Sequence, residues 1–199
     1  MDLPGRSRSG RDEITALQAL LDYGRRYAQV LQGTGMGFHP FTKTLTALTV
    51  TERYEGNTTI DFGTPAIVPD TGRRPFDAIE FVRSLTVLKA CWGEFDRAVE
   101  RARGVILRKG PRGGGKDFGK VIDHELDSDR GYLSRLAWKH NRSGGEDPIE
   151  ELSQTRIALR SALEVAVNGD LPEVGPRGGV IWPPRYFVRC VAWHVHDHA

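Results

Sequence analysis

Residues 185–199 have the sequence RYFVRCVAWHVHDHA, and this stretch decides how the chain is interpreted. Its apolar residues recur at helical spacing, and three of the protein's six histidines lie in its last six residues. At about 100° per residue, Cys190, His194 and His198 share one face with the large apolar side chains, whereas His196 points the opposite way. The pattern predicts a helix whose inward face carries a histidine pair, with His196 as a solvated bystander.

Two histidines four residues apart can hold one metal ion, because their side chains lie one above the other on a helix. A single histidine on an apolar face is more often a satisfied core residue. A pair is harder to explain in that way, because two neutral imidazoles both need partners and two imidazolium ions repel each other. A metal site also needs at least a third ligand.

The third ligand is expected on a helix predicted for about residues 117–138. Glu125 and Asp129 fall within its buried stripe, which is unusual for carboxylates, and His124 lies on the flank of that stripe. Periodicity alone leaves all three of these residues as alternatives. The weaker candidates, both expected at the surface, are His39 and His140.

The remainder of the second half is also helical in pattern. Residues 77–103 carry one apolar stripe. A further helix is predicted after Asp147 and Pro148, which suit its N-cap and first position, and it is expected to end at Asn168–Gly169. Four helices joined by loops of moderate length predict an up-down four-helix bundle over residues 77–199.

The first 76 residues have a different pattern. Residues 1–10 are basic and rich in glycine and serine, which predicts a disordered tail. Residues 11–76 are predicted as a small α+β segment with one helix beginning at Asp12 and a β-hairpin over residues 44–62, where β-branched residues flank the turn EGN. The Pro/Gly-rich residues 63–76 suit a domain boundary. The predicted fold class is therefore mainly α, with a small α+β segment before the bundle.

Composition excludes several classes of protein. The chain of 199 residues is 39% hydrophobic and 27% charged, which is ordinary for a soluble globular protein. Its net charge of +2 is too small to imply a nucleic-acid partner. No apolar run approaches the ~18 residues of a membrane span, and the N-terminus lacks the apolar core of a signal peptide. We therefore expect a cytoplasmic protein with buried cysteine thiols and neither nucleic acid nor membrane as a partner.

A glycine-rich loop, GPRGGGKD at residues 110–117, fits the spacing G-x-x-x-x-G-K. A phosphate-binding P-loop then needs a serine or threonine, but this chain has Asp117, whose charge repels phosphate. The parallel strands of that fold are also not expected after the loop. Arg112 and Lys116 therefore remain candidates for anion binding at the start of a helix. The plainer alternative is that the loop is a simple connection and Asp117 is the N-cap of the helix.

The segments GKVIDHELDSDRGYLSRLAWK and PPRYFVRCVAWHVHDHA together resemble the DinB/YfiT-like superfamily of bacterial four-helix metalloproteins. Those proteins carry one histidine on the second bundle helix and an H-x-x-x-H pair on a later helix. The resemblance implies His124, His194 and His198 as ligands of a divalent transition metal, zinc or nickel. It covers about residues 77–199. Family members continue the last helix further, so the turn carrying His198 is expected to fray in a chain truncated after Ala199.

Three histidines leave coordination positions for water or substrate, which is the pattern of a catalytic site. The resemblance implies an enzyme that acts on a small-molecule substrate, either by thiol-dependent transfer with a low-molecular-weight thiol or by hydrolysis. It also implies a possible homodimer, because bundles of this kind often dimerise. Asp129 is the candidate for orienting a ligand imidazole or handling protons, the alternative being a surface pair with Arg130. The competing hypotheses are a non-catalytic metal or small-ligand binding module and, more remotely, nucleotide binding through the glycine-rich loop.

Overall fold

The computed structural model describes residues 3–40, 44–60, 66–105, 118–142, 147–175 and 178–199. None of these residues lies in a β-strand, so the prediction of a mainly α protein is confirmed. Short 3₁₀ turns occur at Leu45–Ala47 and Asp70–Arg73. The α-helices are α1 (Glu13–Asp22), α2 (Gly24–Val30), α3 (Ala78–Ala102), α4 (Phe118–Ser134), α5 (Pro148–Val167) and α6 (Pro184–His198).

Helix ends follow the local signals in the sequence. The Asp77 carboxylate caps α3 by accepting a hydrogen bond from the backbone N–H of Glu80 at 2.8 Å. Asp147 caps α5 in the same way, with Pro148 at the first helical position, where its missing N–H costs nothing. Gly169 follows the end of α5 with a φ of +78°, a left-handed conformation that glycine adopts without strain.

The β-hairpin predicted for residues 44–62 is not found in the described part of that stretch. Residues 44–60 contain the turn Leu45–Ala47 and otherwise no regular structure. Leu48 has an extended backbone, as β-branched surroundings favour, but extended residues form a strand only when a neighbouring strand pairs with them. Almost all side chains of residues 51–60 are exposed, so no buried face stabilises such a pairing.

The N-terminal helix is divided at Tyr23 into α1 and α2, instead of continuing as one helix. Tyr27, Val30 and Leu31, at the end of this segment, are at most 5% exposed and belong to the same apolar cluster as the longer helices. The N-terminal segment therefore shares the core of the second half.

The four longer helices pack in pairs. Helix α3 packs against α5 and α6, and α4 packs against the same two helices. Burial of each large apolar side chain stabilises the folded state by about 1.5–3 kcal/mol relative to leaving it exposed. The side chains that fill this core with less than 2% exposure include Leu88, Phe95, Leu126, Leu133, Leu159, Leu163, Phe187 and Val191.

In the described residues, no helix is both long enough and apolar enough to cross a membrane.

Candidate metal centre

Helices α4 and α6 bring three histidines together. The ring of His124, on α4, lies 5.0 Å from each of the rings of His194 and His198, on α6. The two α6 rings are 4.3 Å apart. One ligand nitrogen from each residue lies within 4.8 Å of the other two, so the cluster could hold a metal ion. Neutral imidazole is a good ligand for zinc, nickel, copper and iron, and the donor set therefore fits a divalent transition metal.

Glu125 lies directly behind this cluster and is 1% exposed. Its Oε2 atom is 2.8 Å from Nδ1 of His194 and 3.3 Å from Nδ1 of His198. Neither N–H is well aligned with the oxygen, so the contact is a close electrostatic one rather than a well-formed hydrogen bond. Because Nδ1 of both rings faces the carboxylate, Nε2 is the nitrogen left for a metal.

The charge state of Glu125 depends on two opposing effects. Burial raises the pKa of this carboxyl, but the contacts with His194 and His198 outweigh burial and lower the pKa below its usual value. The ionised carboxylate is therefore the favoured form. A negative charge this close to both Nδ1 atoms favours the tautomers in which Nδ1 carries the proton and Nε2 is free to bind a metal.

Asp129 lies one turn further along α4 and is 2% exposed. Burial, reinforced by the Glu125 carboxylate and partly opposed by Arg156, raises the pKa of Asp129 well above its usual range, which favours the protonated form. Glu125 makes the close contacts with the imidazoles of His194 and His198, and an orienting role for Asp129 stays a prediction. Arg130 pairs with Asp127 at 3.2 Å instead of with Asp129. Proton handling by Asp129 stays a prediction.

His196 is buried, so the prediction of a solvated bystander is wrong. It is 0% exposed, and its ring centroid lies 5.0 Å from that of Tyr23 and 5.7 Å from that of Tyr27. The N-terminal segment covers the face of α6 that periodicity had assigned to solvent. Burial, together with the nearby Arg26 and Arg8 cations, lowers the pKa of His196 to about 4, so this ring is neutral at neutral pH.

The last turn of α6 was expected to fray, but residues before α3, namely Arg8, Tyr23 and Arg26, hold it in place. Arg26 donates hydrogen bonds to the backbone oxygens of Ala199 at 2.8 Å and His196 at 3.3 Å. The Tyr23 hydroxyl donates to the His196 carbonyl at 3.3 Å. Arg8 forms an ion pair with Asp197. Carbonyls at a helix C-terminus lack partners within the helix, and here side chains of the N-terminal segment supply them.

The other sequence candidates lie elsewhere. His39 is exposed, and His140 is partly buried with Nε2 3.2 Å from Oγ1 of Thr155. Neither belongs to the histidine cluster found among the described residues. Cys91 and Cys190 are buried free thiols. Arg112, Lys116 and Asp117 lie outside the described residues, so the predictions for the glycine-rich loop stay predictions.

We predict that Glu125→Gln lowers the affinity for a divalent metal by about 10- to 100-fold, the usual cost of losing an outer carboxylate partner of ligand histidines. Asp129→Asn is the matched control, because it replaces a carboxyl that favours its neutral form with a neutral amide of similar shape. Competition with a chromogenic chelator at neutral pH measures both affinities. An equal loss of metal affinity in Glu125→Gln and Asp129→Asn would contradict the orienting role of Glu125.

The fold and site define an all-helical protein with a largely buried cluster of three histidines. Neither a protein-family model, nor a curated protein, nor a solved structure matches the chain. Membership of the DinB/YfiT-like superfamily therefore stays a prediction.

Proposed function

We propose that this protein is a divalent-metal-dependent enzyme of the DinB-like type, which uses the metal to activate water or a low-molecular-weight thiol. In this proposal, residues 77–199 form an up-down four-helix bundle and residues 11–76 pack onto it. The observation that carries the proposal is the convergence of His124, His194 and His198, with one ligand nitrogen each within 4.8 Å of the others.

Three imidazoles favour a catalytic role over a purely structural one. A closed structural zinc site has four protein ligands, whereas three leave at least one position for water or substrate. A metal held by these histidines would lower the pKa of a coordinated water or thiol, so that the nucleophilic anion would be available at neutral pH. Zinc and nickel are the metals that the DinB-like resemblance implies.

Two acidic side chains near the cluster have distinct proposed roles. Glu125, ionised and within 3.3 Å of two Nδ1 atoms, keeps the ligand rings in their orientation. Asp129, whose raised pKa favours the protonated form, is assigned to hold a proton beside the site. Two neighbouring carboxyl groups with opposite pKa shifts are a common arrangement in sites that move protons.

Cobalt substitution tests this proposal on the wild-type protein. Cobalt(II) replaces zinc in histidine sites, and its visible spectrum depends on the ligands around it. We expect one equivalent of cobalt to bind and the spectrum to change when 2-mercaptoethanol is added, because a thiolate enters an open position. A cobalt spectrum that is indifferent to thiol and to azide would contradict an open site and favour a non-catalytic metal-binding module.

A further inference from the structure

A cavity of about 200 Å³ lies between the second half of α3, the first turns of α4 and the last turn of α6. Phe95 and Val99 contribute from α3, and Phe118 and Ile122 from α4. His198 is the only residue with a polar side chain among the described residues that line it. One member of the histidine cluster therefore forms part of the wall of an otherwise apolar cavity.

We propose that this cavity binds an apolar group of the substrate, an aryl or short branched alkyl group, beside the metal. The inference rests on the proposed function for the presence of that metal. A dry cavity of about 150 Å³ lined by aliphatic and aromatic side chains is large enough to bind benzene. A cavity of about 200 Å³ therefore accepts a group of benzene to toluene size.

The apolar part of the wall, away from His198, disfavours polar groups in the same place. A hydroxyl or amide that enters the cavity loses its hydrogen bonds to water and finds no replacement among the apolar side chains that line it. An apolar group loses no such bonds and gains van der Waals contacts with Phe95 and Phe118. The preferred substrate therefore carries its reacting atom next to an apolar group, with the reacting atom directed towards His198.

Two small residues keep the cavity open. Ala98 and Ala102 lie one turn apart on α3, line the cavity and are partly exposed. A larger side chain at either position would fill space that is now empty. Partial exposure of Ala98, Phe118 and Val121 also places the cavity near the surface, so that a ligand can enter without unfolding of the core.

The first measurement uses toluene and the metal-free protein. Toluene binding is followed by NMR of the isotope-labelled methyl groups of Val99 and Ile122. We expect saturable binding to wild type and at least about 10-fold weaker binding to Ala98→Leu, since one methylene in an apolar pocket already changes affinity about 10-fold or more. Ala102→Leu is a second blocking variant. Ala78→Leu, an exposed position at the other end of α3, is the matched control and should bind like wild type.

The second measurement compares benzyl mercaptan with 2-mercaptoethanol on the cobalt-loaded protein. We expect benzyl mercaptan to bind at least about 10-fold more tightly, and this preference to be lost in Ala98→Leu. Absence of toluene binding to wild type, or binding to Ala98→Leu as tight as to the Ala78→Leu control, overturns the apolar subsite while the metal site stands. If the wild-type protein binds no cobalt, the proposed function is overturned, and the inference with it, regardless of the result of the toluene measurement.

Discussion

Replacing His194 with alanine should abolish stoichiometric metal binding, and His124→Ala and His198→Ala should do the same. Each change leaves two imidazoles, fewer than a stable site needs. The affinity should therefore fall by more than the about 10- to 100-fold that loss of an outer partner costs. Elemental mass spectrometry of tag-free protein, reconstituted with zinc or nickel and then desalted, measures the remaining metal. We expect one metal ion per wild-type chain and background levels in all three variants.

The control for these variants is His39→Ala, which makes the same chemical change at an exposed histidine outside the cluster. It should keep the full metal content. His194→Ala also leaves the buried Glu125 carboxylate with His198 as its remaining histidine contact, and a buried charge that loses a partner destabilises a protein. His194→Gln, which keeps a polar side chain, and a thermal unfolding curve therefore separate loss of ligand from loss of fold. Full metal content in all three alanine variants would contradict the site.

The helices could be predicted because their signals are local. The apolar stripe of α3 and the Asp147–Pro148 start of α5 depend on residues close in sequence, and both appear where the pattern placed them. The hairpin could not be judged in this way. Strand formation in residues 44–62 needed a partner and a buried face, and the exposed side chains of residues 51–60 provide no such face.

Part of the site could also be predicted from the sequence, because the signal of its histidine pair is local. The pair His194 and His198 follows from spacing on one helix, but the third member depends on how α4 is rotated against α6. Periodicity placed His124 on a flank and Glu125 in the stripe and could not choose between them, whereas the family resemblance implied His124. In the packed structure His124 lies in the cluster and Glu125 lies against two Nδ1 atoms. His196 was misjudged because no local signal shows that the N-terminal segment covers α6.

Truncating Tyr27 tests whether this N-terminal segment supports the site. Tyr27, on α2, is 0% exposed and packs edge-on against Phe38 at 5.2 Å and against the His196 ring at 5.7 Å. Removal of a fully buried aromatic ring costs about 3–5 kcal/mol. We therefore expect Tyr27→Ala to lower the free energy of unfolding by about that amount, measured by denaturant titration of the metal-free protein. This is a large part of the about 5–15 kcal/mol typical of a whole domain.

Tyr27→Phe is the matched control, because it keeps the ring and removes only the hydroxyl, which donates a hydrogen bond to the Pro4 carbonyl. Tyr27→Phe should lower the free energy of unfolding by only about 0.5–1.5 kcal/mol. Tyr27→Ala should also weaken metal binding, whereas Tyr27→Phe should not. The reason is that α2 carries Arg26, whose hydrogen bonds hold the turn of α6 that contains His198. Unchanged stability in Tyr27→Ala would show that the N-terminal segment does not pack on α6 in solution, and the metal site would then have to be held by α3 to α6 alone.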